Sequence, residues 1–151
     1  MVTVSKSTIV ENIHQNFYDL FNAITGFAGK VYPAFPQLSL QAAESKSSYP
    51  IFILESPDIE DQSNFTLNKL KVTGTITLEI YTTNAKDADY FASDSFDKIE
   101  SSIRTLRGQG LKFIKLDSMN KDVVQRGKIN VHLKSVTFAY EFVFDRTSLS
   151  W

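Results

Sequence analysis

Two histidines are the first places to look for chemistry in this chain. His14 falls in "ENIHQ" and His132 in "NVHLK". Neither belongs to HExxH, HxH or any closely spaced ligand set, so no zinc site is encoded locally. Both read as surface or sheet-face histidines. Carboxylates form two groups. Asp58, Glu60 and Asp61 lie in "SPDIEDQSN", and Asp87, Asp89, Asp94 and Asp97 lie in and after "TNAKDAD". The first group offers oxygens to a divalent cation but lacks the Gly and terminal Glu of an EF-hand loop, and it reads as a solvated acidic loop. The second suits the positive end of a helix dipole.

Nucleophiles and phosphate loops fare no better. Cysteine is absent, which excludes disulfides, thiolate metal sites and a cysteine nucleophile. There is no GxSxG elbow, and "RGQG" ends a predicted helix rather than opening one. Lys69, Lys71, Lys112, Lys115, Lys121, Arg126 and Lys128 are spread over predicted strands and loops. With a formal charge of −1 they read as ordinary solvated faces rather than a nucleic-acid footprint. The residues therefore argue against an enzyme and call for no catalytic residue, cofactor or metal.

The elements that would position these groups are easier to read. Ile9, Ile13, Phe17, Leu20, Phe21 and Ile24 recur at spacings of three and four, predicting an amphipathic helix over 8–26. Thr8 and Glu11 form a candidate capping box, and Gly26 with Gly29 supplies the stop. "VYPAFPQ" has two prolines and suits an extended edge or turn. In "LSLQAAESKSS" Leu38 and Leu40 alternate before a Ser-rich loop. "YPIFILE" (49–55) predicts a short buried strand, and Ser56–Asn64 a polar connection.

Next comes one long strand. Val72, Gly74, Ile76, Leu78 and Ile80 face one way, while Lys71, Thr73, Thr75, Thr77, Glu79 and Tyr81 form a Thr-rich, wettable opposite face. It runs into a second helix whose buried stripe is Ala88, Phe91, Ala92, Phe96, Ile99, Ile103 and Leu106, stopped by "GQG". "LKFIKL" (111–116) predicts a short strand. Asp117–Lys128 is expected to be a polar loop with a turn near Arg126-Gly127. The last strand spans Ile129–Asp145, and its alternation changes parity at Lys134-Ser135, which predicts a bulge or bend. The tail "RTSLSW" is expected to be loose.

Strands and helices do not alternate strictly, so the expected class is α+β: a single mostly antiparallel sheet with two helices on one face. A length of 151 residues, 42% apolar, fits one domain over 1–151 with an ordered core of about 8–145. No stretch has signal-peptide character or the length to cross a bilayer, and the expectation is a soluble protein of a reducing cytoplasm with no membrane partner. The "NFT" sequon at Asn64 is read as chance. Twelve Phe residues predict either a Phe-dominated core or apolar surface kept for partners. The last strand has apolar residues on both faces, so its second face needs a cover: another layer of the same chain or a neighbouring subunit.

The ordered set of features has a familiar counterpart. An amphipathic helix, a "VYP…P" segment, "YPIFIL", the long "TGTITLEIYTTN" strand running into an Ala- and Asp-rich helix, and a closing "VHLKSVTFAYEFVF" strand together resemble the tail terminator (tail completion) proteins of long-tailed bacteriophages. The resemblance spans roughly Ile9 to Phe144 and rests on element order. It implies a homohexameric ring on the head-proximal end of the tail tube, in the virion, of a protein made in the bacterial host's cytoplasm. The ring would stop tube polymerisation and present its other face to a head-completion protein, with DNA at most passing through the lumen. It implies no catalytic residues. The expected partner contacts are Asp58, Glu60 and Asp61, and Lys121, Arg126 and Lys128 within Asn120–Lys128. The strand face at Thr75, Thr77 and Glu79 is expected to meet a subunit or the tube.

Three other readings compete. One is a different head–tail connector or head-closure component. Another is a small α+β domain that binds a ligand or peptide in a Phe-lined pocket. The last is a hydrolase using His132 and a nearby acid.

Overall fold

The computed structural model describes residues 8–34, 46–66 and 69–145. In chain order the elements are helix α1 (Ile9–Asn22), strand β1 (Val31–Tyr32), a 3-10 turn (Lys46–Ser48), β2 (Ile51–Leu54), β3 (Asp58–Thr66), β4 (Lys69–Thr82), α2 (Ala85–Ser101), α3 (Ile103–Gly108), β5 (Leu111–Arg126) and β6 (Ile129–Asp145). The strands form one sheet in the order β1-β2-β4-β6-β5. β6 occupies one side of β4 along its length, while β2 and β3 share the other. Among the described residues, only the short β1–β2 pair is parallel. The expected α+β class, a mostly antiparallel sheet with its helices on one face, is what the chain adopts.

The helix-facing core follows from the two periodicities. Ile13, Phe17, Leu20 and Phe21 of α1 pack over Ile76, Leu78 and Ile80 of β4 and Val136, Phe138, Tyr140 and Phe142 of β6. Most Phe rings are spent here. Phe27 stacks on Phe52 with centroids 3.8 Å apart, and Phe91 of α2 meets both edge-on at 5.5 and 5.2 Å. Phe17 lies 6.4 Å from Tyr140, and Phe21 lies 6.1 Å from Phe138. The edge-on and tilted pairs are contacts that aromatic rings favour, whereas the Phe27–Phe52 stack is closer to face to face. They fill the space between helices and sheet rather than line a pocket.

Several local expectations are corrected. Thr8 is the N-cap of α1, but its hydroxyl accepts from Asn12 Nδ2 at 2.8 Å instead of closing a capping box. The helix ends at Asn22, and Gly26 and Gly29 take positive φ in the turn that follows. The second predicted helix is two, broken at Ser102. Phe96 points outward, and Ser95 takes the fully buried position, its hydroxyl donating to the Ala92 carbonyl at 2.7 Å. A small side chain that satisfies itself on the helix backbone fits where the helix lies close to the sheet.

Two larger corrections concern the sheet. The connection at Ser56–Asn64 becomes β3 from Asp58 onward, and the loop at Asp117–Lys128 becomes the outer half of a 16-residue β5, with the turn at Gly127 as expected. The parity change in β6 is not a bulge, because its register with β4 is unbroken. Coverage changes instead. Val136, Phe138, Tyr140 and Phe142 face the helices, whereas Ile129 and Val131 face the other way, into a second cluster with Tyr32, Tyr49, Ile51, Ile53 and Tyr81. A strand buried on one face and then on the other shows such a parity change while staying straight. Leu38, Leu40, Pro36 and the tail after Asp145 lie outside the described residues.

One glycine in β4 matters to this packing. Tyr140 is paired with Gly74, and its hydroxyl donates to the Asp58 carbonyl of β3 at 3.2 Å. A Cβ on residue 74 would sit 2.6 Å from the Tyr140 hydroxyl and against the Asp58 carbonyl oxygen. Gly in a strand interior ordinarily weakens it, so Ala should help at a neutral site. Gly74→Ala is instead expected to destabilise the fold by about 1–3 kcal/mol through overpacking, read as a lower urea midpoint at unchanged slope.

Candidate assembly surface

The sheet face away from the helices carries the sequence-predicted residues of β4. Ile76, Leu78 and Ile80 turn to the helices, so Thr75, Thr77 and Glu79 project to the other side. They are less open than their composition implies. Thr75 is only 9% exposed and donates to Glu60 at 3.3 Å. The Thr77 hydroxyl lies 3.0 Å from that of Thr137 on β6, a cross-strand Thr pair. Glu79 accepts from the Tyr81 hydroxyl at 2.6 Å.

Glu79 also shares a proton-linked contact with Glu55 at the end of β2. The hydrogen bond to Glu79, then burial, then the negative charges of Glu79 and Asp58 push the Glu55 carboxyl up to about 7. Burial and the same Glu79 bond raise the Tyr81 phenol well above its usual range, and the Arg126 charge partly opposes this. Burial likewise raises Tyr49, again opposed by Arg126. Arg126 thus serves the second cluster electrostatically from the end of β5. On the helix side, Lys134 bonds Asp89 at 2.9 Å and holds its carboxyl low, with a smaller contribution from the charge of Lys121. Lys128 is exposed in the turn.

Toward the β3–β5 end, the same open face forms a groove of about 940 Å³. Lys69, Lys71, Lys112 and Lys115 line it, countered by Glu60, Asp117 and Glu141. Lys71 and Glu141 stand 3.9 Å apart. Phe113 lies on its β5 side, 73% exposed and at φ 52. Positive φ is uncommon for a bulky residue. Sequence reasoning missed Phe113. Its signal was the spacing of Leu111 and Ile114, both buried, which no regular strand can place on one face.

The two histidines stay apart. His14 Nε2 lies 2.9 Å from the Leu54 carbonyl, and the ring stacks near Tyr18. His132 pairs with Thr82, four β4 residues beyond the partner of Leu54, about 13 Å along the strand. Among the described residues, no group of three or more His, Asp or Glu side chains is arranged to hold a metal ion. No described helix is long and apolar enough to cross a membrane. What the geometry offers is a surface: an α+β sheet with one face helix-covered, the other partly open, and charged edges on either side.

No family model matches the chain, and no curated protein matches it. Among solved structures it is similar to a chain of a particle described as "Virion of native gene transfer agent (GTA) particle", with a TM-score of 0.47 and 13% identity over 87% of this chain and 95% of that one. A score that low leaves the function to be argued from the residues themselves.

Glu55 gives this surface a testable pH signature. Its folded pKa lies above the 4.5 of an unperturbed carboxyl, so folding takes up protons between about 4.5 and 7. Stability falls as pH rises through that window. Solvent exposure keeps the effect small. The wild-type melting temperature should decline from pH 4.5 to pH 7 more than that of Glu55→Gln, which cannot ionise, and equal slopes in the two proteins would remove Glu55 as the cause.

Proposed function

We propose that this chain is a phage-type virion assembly protein, specifically a tail terminator that caps the head-proximal end of the tail tube as a ring and offers the head-joining surface. The observation that carries the proposal is the pairing of outward-built side chains with a filled interior. Phe17, Phe21, Phe27, Phe52, Phe91 and Phe138 pack between helices and sheet, while Phe113 and the lysines of the groove stand on the open side. Ordinary domains rarely display a large aromatic ring on a charged, concave sheet face without a partner for it. The resemblance in element order supplies the particular role.

In this reading the open face and the β3 and β5 edges are contact surfaces for neighbouring subunits, the tube protein and a head-completion protein. No residue acts as a catalyst. The ligand-binding alternative is disfavoured because the rings that would line an apolar pocket are already in mutual contact.

The test polymerises the tail-tube protein from the same source with and without this chain, and compares tube lengths and ends by negative-stain electron microscopy. Shorter tubes bearing a density at one end are the expected outcome, and His132→Ala should cap as well as wild type. Tubes of unchanged length with bare ends would refute the terminator role.

A further inference from the structure

The cross-strand registers place three residues of β3 and three of β5 at opposite ends of the same rows. One row runs Asp58, Thr75, Ala139, Lys115. Another runs Asp61, Thr73, Glu141, Lys112. Between them lies the row Ile59, Gly74, Tyr140, which on β5 falls in the bulge that holds Phe113. The two outer rows therefore begin and end with an acid and a lysine, whereas in the middle row Ile59 shares the helix-side face of Gly74 and Tyr140 and Phe113 is turned to the open side. Ile59 is 44% exposed and Phe113 73%.

Strand directions agree with this arrangement. β3, β4, β6 and β5 are successively antiparallel at this level, so β3 and β5 run in opposite directions. A second copy in the same orientation, set beside the first without axial offset, would bring its β3 antiparallel to β5 and extend the same sheet. Neither strand has another partner on its outer side among the described residues. Both edges are bulged on these same rows, between Ile59 and Asp61 and between Lys112 and Lys115. Such bulges discourage indiscriminate edge pairing and leave a matched edge as the favoured partner.

We infer that the chain associates with itself head to tail, the β3 edge of one copy pairing with the β5 edge of the next, so that Asp58 is set opposite Lys115 across each junction. The contact is heterologous, the kind that closes into rings or continues as filaments. Symmetric alternatives are poorer. Pairing β3 with β3 gives its acids no lysine or arginine opposite, since the strand carries none, and pairing β5 with β5 joins two edges that each carry Lys112, Lys115, Lys121 and Arg126 against Asp117 and Asp122. The inference deepens the assembly reading, resting on it only in supposing that copies meet in one orientation.

The chain has no cysteine, so a disulfide can be placed at the junction. Within one copy, positions 58 and 115 are three strand spacings apart, about 14 Å, beyond the roughly 7 Å that a disulfide spans between Cα atoms. Oxidation of the Asp58→Cys, Lys115→Cys double variant should give a covalent ladder reaching beyond dimers on a non-reducing gel. Each single variant should stop at dimers. A double variant that yields nothing above dimer, or an equal ladder from Asp58→Cys with Val123→Cys, would overturn the inference.

Charge exchange provides the second arm. Asp58→Lys alone should weaken association in sedimentation velocity by about fivefold or more, and adding Lys115→Asp should restore it. Failure to restore counts against the contact. A ladder without tube capping would keep this contact and discard the terminator role, whereas capping without a ladder would do the reverse.

Discussion

The long antiparallel pairing of β4 with β6 is the constraint on which the rest of the structure depends. Its register runs without a slip from Lys69 opposite Asp145 to Thr82 opposite His132. Because the side-chain period of a strand is two, a slip of one residue would move every apolar side chain of β6 to the wrong face. The pairing is pinned from both sides of the sheet. Phe138 and Tyr140 are held under α1, while Val131 is held in the second cluster with Ile51 and Ile53. A shift that exposed one set would expose the other as well, so two cores on opposite faces specify one register more firmly than either alone.

Tyr140 shows how closely the parts are fitted. Its ring is almost wholly buried, and burial, with the charges of Asp58 and Glu60, raises its phenol far above the usual range. A buried hydroxyl needs a partner, and the partner is the Asp58 carbonyl across Gly74. The absence of a side chain at residue 74 thus lets β6 reach over β4 to β3. The position of the acidic β3 edge is tied to the core through one hydroxyl, so the chemistry displayed on that edge is set by interior packing rather than by a free loop.

The parts of the fold that were legible in the sequence are those where burial imposes a period. The α1 stripe, the alternation of β4 and the apolar run of β2 each have one face in the core, and the pattern names that face. β3 and the outer half of β5 lie at sheet edges, with Asp58, Ile59 and Glu60 exposed and little of the outer half of β5 buried, and "DIEDQSN" and "DSMNKDVVQR" carry no apolar period and look like loops. The parity change in β6 was visible, but sequence alone cannot separate an extra residue from a change of covered face. Of the candidate surface, the sequence names the acids, in an expected loop rather than on β3, and the Thr-rich face of β4 as contacts. Their alignment with Lys112, Lys115 and Phe113 was not legible, because it is a property of register across four strands.

Phe113 separates what packing explains from what it leaves over. Its positive φ has a structural cause. Leu111 and Ile114 both enter the core, and an extra residue between them must be turned outward for that to happen. Strain of this kind, of order 1–3 kcal/mol, is offset by the two buried side chains and needs no function to account for it. The identity of the residue is a different matter. An outward, left-handed position beside lysines is better served by Gly or Asn, which tolerate the conformation and stay solvated. A phenylalanine there stays 73% exposed. Ile59 poses the same problem at the other end of the row: it is exposed on an edge strand where a polar residue would guard better against unwanted pairing. A contact between copies along these two edges would cover Ile59 on the helix side of the sheet and Phe113 on the open side.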